Sequence, residues 1–394
     1  MTTAPLLVPA ATPALAEGWP ASLQLLLGEP AVDLWAAVLA PTGAALRSIR
    51  ATSVSLRADG AATVQYAAEL VDAAGTPLRD TLAATTGSRI PPGAAVVGDG
   101  AGTDVGLWRW PQDPALPALR WATSAVAVRR RLPDLGVPAE DARLRLRAHR
   151  PGRRAVVEVT APAGRWFVKV VRPADLPGLV RRHELLAGHV PVPEVLATTA
   201  DGVLVLPALP GTPMGAALDD PAARPGAAVL TDLLDRLPAT DLPRVRGPLD
   251  RAPGHATVLG MVLPHLRPRL STLVDALATA PGGHEVVPVH GDLYEAQLLL
   301  AGRDVVGLLD VDGAGAGHRI DDLANLLGHL AVLGQDGYRH ELAAALPWPA
   351  AELAPRVAAV VLGLATGPFR VQGAGWPRAT EARLALAERV LAGG

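Results

Sequence analysis

Two carboxylates separated by a predicted hairpin form the strongest chemical signal in the sequence. Asp292 lies in the segment His-Gly-Asp-Leu-Tyr-Glu-Ala-Gln at residues 290–297, and Asp310 ends a strand that follows a turn at Gly302. Because a hairpin returns its two ends to the same side, we expect Asp292 and Asp310 to lie close together. One carboxylate can orient or deprotonate a hydroxyl nucleophile, and the other can hold a divalent cation that bridges phosphates. Gln297 offers an amide oxygen as a second ligand for that cation.

A single lysine is the second signal. Lys169 is the only lysine in the chain, although Lys and Arg together number 36. Lysine carries a compact ammonium charge, whereas arginine presents a wide planar fork. A lysine that remains where arginine serves everywhere else indicates a site at which the fork does not fit. Chance survival is the alternative, which composition alone leaves open.

The segment at residues 290–297 resembles the HGDxxxxN catalytic loop of the aminoglycoside phosphotransferases and related small-molecule kinases. The stretch at residues 308–324, from Leu-Leu-Asp-Val-Asp to Asp-Leu-Ala, is similar to the segment that follows this loop in the same family. The resemblance covers roughly residues 140–330. It implies transfer of a phosphoryl group from Mg-ATP to a hydroxyl group of a small molecule. It also implies that Asp292 is the catalytic base and Asp310 the main Mg²⁺ ligand.

The nucleotide contacts follow from the same resemblance. It implies that Lys169 binds the α- and β-phosphates of ATP and that Glu184, on the next helix, pairs with this lysine. Arg153 lies in a Pro-Gly-Arg-Arg loop that can cover the phosphates, because glycine permits close backbone approach. Leu206 begins the segment in which the backbone between the lobes is expected to bind adenine.

The sequence departs from the family at one metal ligand. The family's usual asparagine is replaced by Gln297, and the chain's only asparagine, Asn325, lies outside the loop. Maltokinases and related actinobacterial sugar kinases are similar in having Gln there and an N-terminal cap. Both features favour a sugar acceptor, with glucosamine converted to glucosamine 6-phosphate as the first hypothesis and maltose, an aminoglycoside or another small alcohol as alternatives. Alternatives of other classes are a pseudokinase-type nucleotide-binding module and a metal-dependent hydrolase built on His290 and the neighbouring aspartates.

The acceptor site is expected in the C-terminal helical lobe, beside Asp292. Arg370, Gln372 and Trp376 combine hydrogen-bonding groups with an aromatic face, which suits a sugar ring. The alternative is that Trp376 and nearby Phe369 are core residues. An amino sugar also requires a carboxylate that faces its ammonium group. The sequence does not distinguish three candidates for this carboxylate, which are Glu295, Asp336 and Glu341.

Other polar residues near the two carboxylates have supporting roles. His290 is expected to stabilise the catalytic loop rather than to transfer a proton. Asp321 and Asp322 are expected to cap and brace the helix that starts near Ile320. Asp312 has two possible roles of equal weight, which are to assist the metal or to bind its own backbone turn.

The pattern of elements predicts an α+β, two-lobe protein-kinase-like fold with an N-terminal β-rich cap subdomain and a mainly helical C-terminal lobe. A helix is predicted at about residues 176–189, where the apolar residues have helical spacing. Glycine-rich residues 91–106 are interpreted as a linker or mobile loop. The predicted strands are residues 46–56, 62–71, 78–84, 142–148, 154–160, 166–171 and 203–206. The predicted division is 1–106 for the cap, 107–209 for the nucleotide-binding lobe and 210–394 for the helical lobe.

Composition excludes several classes of protein. The formal net charge of −2 gives no broad basic field of the kind that nucleic-acid binders use. The absence of cysteine excludes disulfides and thiolate metal sites. No signal peptide and no apolar run of about 18–20 residues is apparent, which predicts a cytoplasmic protein without membrane contact. We expect a monomer or homodimer whose partner is a small-molecule sugar acceptor.

Overall fold

The computed structural model describes residues 6–7, 18–98, 102–239 and 241–393. These residues form an N-terminal β-rich unit, a five-stranded sheet in the middle of the chain and a mainly helical C-terminal part. The predicted α+β class, with a β-rich subdomain ahead of the rest and a helical C-terminal lobe, is confirmed.

The N-terminal unit is a six-stranded sheet with two helices packed against it. Residues of β3 alternate between buried and more exposed along the strand, as expected when one face covers a core. The Tyr66 hydroxyl of this strand donates a hydrogen bond to the carbonyl of Leu26 (2.7 Å) and so ties the first helix to the sheet. The elements are β1 (Leu6–Leu7), α1 (Ala21–Leu27), α2 (Pro30–Leu39), β2 (Ala45–Leu56), β3 (Ala62–Val71), β4 (Pro77–Thr86), β5 (Ala95–Gly98) and β6 (Asp104–Arg109).

One prediction for this unit is wrong, and two of its helices were not predicted. Helices α1 and α2 are short enough, 7 and 10 residues, to show little periodicity. The prediction of a linker or mobile loop at residues 91–106 is wrong where the range is described, because β5 and β6 pair with each other and β6 pairs with β4, while residues 99–101 lie outside the described residues. Gly106 is required for packing rather than for mobility, since a Cβ there would lie 2.6 Å from Ile90. The predicted boundary between the cap and the nucleotide-binding lobe, after residue 106, falls inside β6. We propose that this boundary follows β6 instead.

The middle of the chain forms a sheet with the strand order β10-β11-β9-β8-β7. Its outer face, which includes Val157, Val168 and Val170, packs against α3 and α4. Lys169 lies between two of these buried valines on β9, so its side chain points from the opposite face, which we call the cleft face. The elements are α3 (Leu119–Ala122), α4 (Ala125–Asp134), β7 (Arg143–Arg150), β8 (Arg154–Ala161), β9 (Gly164–Val171), α5 (Leu176–Leu186), β10 (Ala197–Thr199) and β11 (Val203–Pro207).

The C-terminal part is helical apart from two small sheets that position the catalytic loop. Helix α9 buries residues at helical spacing, including Ile320, Leu323 and Leu327, and lies in the main core. The elements of the C-terminal part are β12 (Thr212–Pro213), α6 (Ala227–Asp235), α7 (Pro248–Val262), α8 (Arg267–Ala278), β13 (Val287–Val289), β14 (Leu298–Ala301), β15 (Asp304–Leu308), β16 (Gly315–Gly317), α9 (Arg319–Val332), α10 (Asp336–Ala345), α11 (Ala350–Leu364), α12 (Gly367–Arg370) and α13 (Trp376–Leu391).

The N-terminal unit packs directly on the helical part. The indole N–H of Trp19 donates to the carbonyl of Val262 (3.1 Å), and its ring meets Phe369 edge-on with centroids 6.0 Å apart. Buried residues of the first sheet and of the C-terminal helices belong to one continuous core. The cap therefore completes the core of the catalytic lobe.

One helical stretch within the described residues, Ala350–Arg370, is long and apolar enough to cross a membrane, and 56% of its most apolar window is buried in the protein. A bent helix pair, Ala21–Leu27 with Pro30–Thr42, passes the same test only if it is counted as one span. Buried helices of globular cores share this composition, so the stretch is weak evidence for a membrane span.

Candidate active site

His290 holds the predicted catalytic loop in place. Its side chain is fully buried, and its Nδ1 accepts a hydrogen bond from the backbone N–H of Asp292 (3.3 Å). Nε2 therefore carries the proton and donates to the carbonyl of Leu309 (2.9 Å). The imidazole thus joins the loop to the strand that leads to Asp310, in agreement with a stabilising rather than a proton-transferring role.

Asp322 braces this loop from below. Its two carboxylate oxygens accept the backbone N–H groups of His290 and Gly291, both at 2.7 Å, and the side chain is only 2% exposed. Gly291 adopts φ +80°, and a Cβ there would lie 2.2 Å from the carbonyl oxygen of Gly313. The prediction that Asp322 caps its own helix is corrected, because α9 has no side-chain cap bond and the carboxylate binds the loop instead.

Replacing Asp322 with Ala is expected to destabilise the protein and to reduce turnover together. The change leaves the buried N–H of His290 and the partly buried N–H of Gly291 without their acceptor, and an unsatisfied buried group costs about 1–3 kcal/mol. Urea unfolding monitored by circular dichroism measures this loss. Asp275→Asn on the exposed side of α8 is the matched control and should leave the midpoint unchanged. A midpoint for Asp322→Ala equal to that of the wild type would contradict the bracing role.

Asp292 is half-buried beside Asn325. The Asn325 amide donates to the carbonyl of Leu293 (2.9 Å) and lies 3.5 Å from Asp292 Oδ1. Burial raises the pKa of Asp292 and the charge of Asp310 adds to this effect, while His290 opposes it. Asn325 was not predicted as a site residue, although its being the only asparagine in the chain was an available signal.

If Asp292 acts as the general base, its raised pKa predicts the pH dependence of catalysis. A general base acts only when deprotonated, so kcat/KM falls as pH decreases through the pKa of the free enzyme. Since that pKa is raised, the acidic limb should lie at higher pH than for an ordinary aspartate. A pH–rate profile measures it, with the residual activity of Asp292→Asn as the control that lacks this limb. An acidic limb at or below the usual aspartate range would contradict the assignment.

Lys169, Asp310 and Asp312 form a charged cluster on the cleft face, and Arg154 completes it. Lys169 is 6% exposed, and its ammonium lies 2.8 Å from Asp310 Oδ1 and also contacts Asp312. The Arg154 guanidinium lies 3.2 Å from Asp310 and 2.8 Å from Asp312. Burial opposes ionisation of Asp310, but Lys169 and Arg154 outweigh it and lower the pKa of this carboxyl. Asp310 has φ +54°, a left-handed conformation that is costly for a non-glycine residue and is often found at functional sites.

The predicted hairpin between the two carboxylates is present. Strands β14 and β15 pair in an antiparallel ladder, and the Gln297 carbonyl accepts from the Leu309 N–H (2.8 Å). The Gln297 side chain is 6% exposed. Within the described residues, no group of three or more His, Asp or Glu side chains could hold a metal alone. Asp310, Asp312 and Gln297 are nevertheless oxygen donors of the kind Mg²⁺ prefers, and Mg²⁺ commonly completes its shell with phosphates and water.

A cavity of about 440 Å³ beside this cluster is lined by five arginines. Burial lowers the pKa of Arg150 and of Arg153, and the neighbouring Arg154 lowers both further. Positive charge here exceeds what the local carboxylates neutralise, which is the electrostatic condition for binding a polyanion. The Gly152 N–H in the β7–β8 turn donates to Asp113 Oδ2 (2.7 Å) and so fixes this edge of the cavity. The five arginines are Arg150, Arg153, Arg154, Arg172 and Arg182.

The structure does not bring Glu184 to Lys169. Helix α5 buries Leu176, Leu179, His183 and Leu186, which share one face, and Glu184 lies one position beyond this face and is exposed. His183 occupies the buried position instead, with Nδ1 2.8 Å from the carbonyl of Pro193. Among the described residues the ion-pair partners of Lys169 are the two aspartates, so the predicted pairing with Glu184 is wrong for this conformation.

Two predicted acceptor residues lie in the core. Trp376 is 1% exposed and packs edge-on against Phe369 with centroids 4.8 Å apart. Gln372 is 8% exposed and donates to the Phe369 carbonyl (2.6 Å). Neither side chain can meet an acceptor in this conformation, so both assignments are corrected. Arg370 is exposed and close enough to Arg150 for its charge to lower the pKa of Arg150.

Leu206 and the three candidate carboxylates occupy different environments. Leu206 is buried at the end of β11, opposite Phe167, where the chain leaves the five-stranded sheet. Asp336 pairs with Arg339 (3.2 Å), and Glu341 pairs with Arg224 (2.7 Å). Glu295 differs, because one carboxylate oxygen is buried without a hydrogen-bond partner among the described residues, 3.8 Å from His329.

Comparison with known proteins places these features in context. The model of the phosphotransferase enzyme family (APH) matches residues 145–356, which is more than half of the chain. No curated protein sequence matches the chain significantly. Macrolide 2'-phosphotransferase MphH from Brachybacterium faecium is a similar solved structure, with 23% identity over 62% of this chain and 91% of its own and a TM-score of 0.40. A thermostable variant of an aminoglycoside phosphotransferase, in complex with ADP and hygromycin B, has 13% identity over 67% and 97% of the two chains and a TM-score of 0.43.

Proposed function

Because the chain belongs to the phosphotransferase enzyme family, we propose that it transfers the γ-phosphoryl group of Mg-ATP to a hydroxyl group of a sugar. Glucosamine, converted to glucosamine 6-phosphate, is the proposed acceptor. The observation that carries this proposal is the convergence of Lys169, Asp310 and Asp312 beside a cavity with five arginines, with Asp292 held on the adjacent loop.

Each residue has a proposed role in the transfer. Lys169 binds the α- and β-phosphates, and the arginines that line the cavity, Arg153 among them, neutralise further phosphate charge. Asp292 orients the acceptor hydroxyl and takes its proton. Asp310, Asp312 and Gln297 would hold Mg²⁺, which when bound neutralises charge on the phosphates. Adenine would bind at the crossing between the lobes, just beyond Leu206.

The charges around the cleft support a neutral or singly charged acceptor. The positive charges of Arg154 and Arg251 lower the pKa of Asp292, and the charge of Arg370 lowers the pKa of Arg150. This field disfavours polycations such as aminoglycosides, since like charges repel at short range. A single ammonium group is compatible with it, and we propose Glu295 as the facing carboxylate because, unlike Asp336 and Glu341, it has no arginine partner among the described residues.

Other classes of function have less support. A hydrolase built on the same aspartates has no use for Lys169, whose ion-pair partners among the described residues are Asp310 and Asp312. A pseudokinase would be expected to lack one of the base, the lysine or the metal aspartate, and all three are present. ATP-dependent turnover of any acceptor would exclude both readings.

The direct test is an ADP-release assay with Mg-ATP and a panel of glucosamine, glucose, maltose, N-acetylglucosamine, kanamycin and choline. We expect turnover with glucosamine, weaker turnover with glucose and none with kanamycin. Turnover of kanamycin alone would overturn the sugar proposal but leave the kinase assignment intact. Absence of turnover with every compound, together with no thermal shift on adding Mg-ATP, would overturn the kinase proposal itself.

A further inference from the structure

A second cleft, of about 310 Å³, lies between the N-terminal sheet and the five-stranded sheet. Gln65 and Thr81 line it from the first sheet, and Leu144, Leu146 and His149 line it from β7. It opens on the outer face of the five-stranded sheet, so the sheet itself separates it from Lys169. Its volume falls at the lower end of the range of about 300–1,000 Å³ that is usual for small-molecule sites.

His149 reaches this cleft because of a β-bulge. The register of β7 against β8 shifts between Leu146 and Ala148, which adds one residue to the strand. Alternation alone would place Leu146 and His149 on opposite faces, and the bulge returns His149 to the outer face. The adjacent Arg150 then points to the cleft face, where it lines the arginine cavity.

Two residues that line the cleft carry buried polar atoms without partners among the described residues. The His149 side chain is 6% exposed, and neither ring nitrogen has a hydrogen-bond partner among the described residues. Its nearest charged group is Asp113, whose Oδ2 is 3.8 Å from Nε2 and so beyond hydrogen-bond range. Gln65 Oε1 is also buried and unpartnered. Unsatisfied buried groups of this kind destabilise the protein, and a polar molecule that forms hydrogen bonds with them would remove this cost.

The remaining walls define the chemistry of the occupant. Trp110, Leu144 and Leu146 supply apolar surface, and the Trp110 ring meets His149 edge-on with centroids 4.6 Å apart. The lining residues, all in the described part of the chain, include no Asp, Glu, Lys or Arg. A neutral ring that carries hydroxyl groups matches this mixture of an aromatic wall, aliphatic walls and unpartnered polar atoms.

We propose that this cleft binds a small uncharged polyhydroxylated molecule of monosaccharide size, with His149 and Gln65 as its hydrogen-bonding groups and Trp110 as its apolar contact. The site is distinct from the acceptor site at Asp292, and binding there does not depend on phosphoryl transfer. The chain thus has two proposed places for sugar-like molecules, one beside Asp292 in the helical lobe and one on the outer face of the five-stranded sheet.

Isothermal titration calorimetry on the full chain tests the proposal with D-glucose, myo-inositol, D-glucosamine and D-glucuronate as probes. We expect a neutral probe to bind the wild type. Leu146→Trp, which fills the cleft from a position that is 46% exposed, and His149→Phe should each weaken this binding at least tenfold. Val126→Trp, at a position that is 77% exposed on α4, is the matched control and should bind as the wild type does.

Hydrogen exchange locates the bound probe. Protection of peptides from β3, β4 and β7 on adding the neutral probe is the expected result. Protection confined to residues 290–325, or binding that survives in both cleft variants, would show that the probe occupies only the acceptor site and would overturn the proposal. Absence of binding by both glucose and myo-inositol at millimolar concentration would also overturn it. The ADP-release assay is read separately, so failure of this site and failure of the kinase proposal are distinguishable.

Discussion

Asp292→Asn is expected to lower kcat by about 10²–10⁴-fold, the usual contribution of a positioned general base. The amide keeps the shape of the carboxylate but cannot accept the proton of the acceptor hydroxyl. The backbone N–H that donates to His290 is unchanged by the substitution, and the side-chain oxygen that faces Asn325 is retained in the amide. The loop should therefore keep its conformation. The KM for ATP should change little, because the phosphates are bound by other residues.

Steady-state ADP-release kinetics with both substrates varied measure this effect. The matched control is Asp304→Asn, an exposed aspartate at the start of β15 on the same hairpin, which should behave as the wild type. A large increase in the KM for ATP with normal kcat at saturation would contradict the role of Asp292 as a base.

Lys169→Met is expected to lower kcat/KM for ATP by about 10²–10³-fold, as removal of one preorganised charge from an active site commonly does. Methionine preserves much of the apolar stem but leaves Asp310 and Asp312 with Arg154 as their only described ion-pair partner. Lys169→Arg should lower kcat/KM for ATP almost as much. The side chain at this position is only 6% exposed, and a planar guanidinium group needs more room than an ammonium group.

Initial rates at varied ATP concentration, with nucleotide binding measured by calorimetry, test both lysine variants. Arg165→Met, an exposed cation on the same strand, is the matched control, and thermal unfolding identifies any variant that has lost its fold. Wild-type activity in Lys169→Arg would show that the lone lysine is an accident of composition rather than a requirement.

Local patterns predicted the parts of the site that are close in sequence. The hairpin between Asp292 and Asp310 needs only a turn and two short apolar runs, so it could be recognised directly. Strand 62–71 was predicted with its observed limits because turn signals bound it on both sides, and in the structure its side chains alternate in burial. The lone lysine indicated a special site, but its ion-pair partners Asp310 and Asp312 were not predicted.

Contacts that depend on rotation or on distant packing could not be predicted. Glu184 is directed outwards by the rotational setting of α5, which depends on how four buried side chains pack. Arg154 meets Asp312 across 158 positions of sequence, and no local pattern indicates such a pair. The ring of Trp376 could stack on a sugar, but an aromatic residue with glycines and arginines nearby in the sequence is equally compatible with a helix of the core.

The charges of this cluster imply that folding is insensitive to chelation. Lys169 and Arg154 already compensate Asp310 and Asp312, so removal of divalent cations should not leave two opposed carboxylates. We expect the same thermal unfolding midpoint with and without EDTA, measured by differential scanning calorimetry, while EDTA abolishes turnover. A midpoint that falls in EDTA would mean that a metal supports the fold.

Trp19 has a consequence for how the chain reaches its folded state. Its indole bonds to Val262, 243 residues later, and its ring meets Phe369 later still. During synthesis Trp19 emerges from the ribosome long before Val262 and Phe369 have been synthesised. Contacts between such distant parts of a chain form slowly, and apolar surface that waits for them is prone to aggregation. The nascent chain therefore has to be nearly complete before the apolar surface of its N-terminal unit is fully buried. We expect a polypeptide truncated before α12 to aggregate rather than to form a small folded domain.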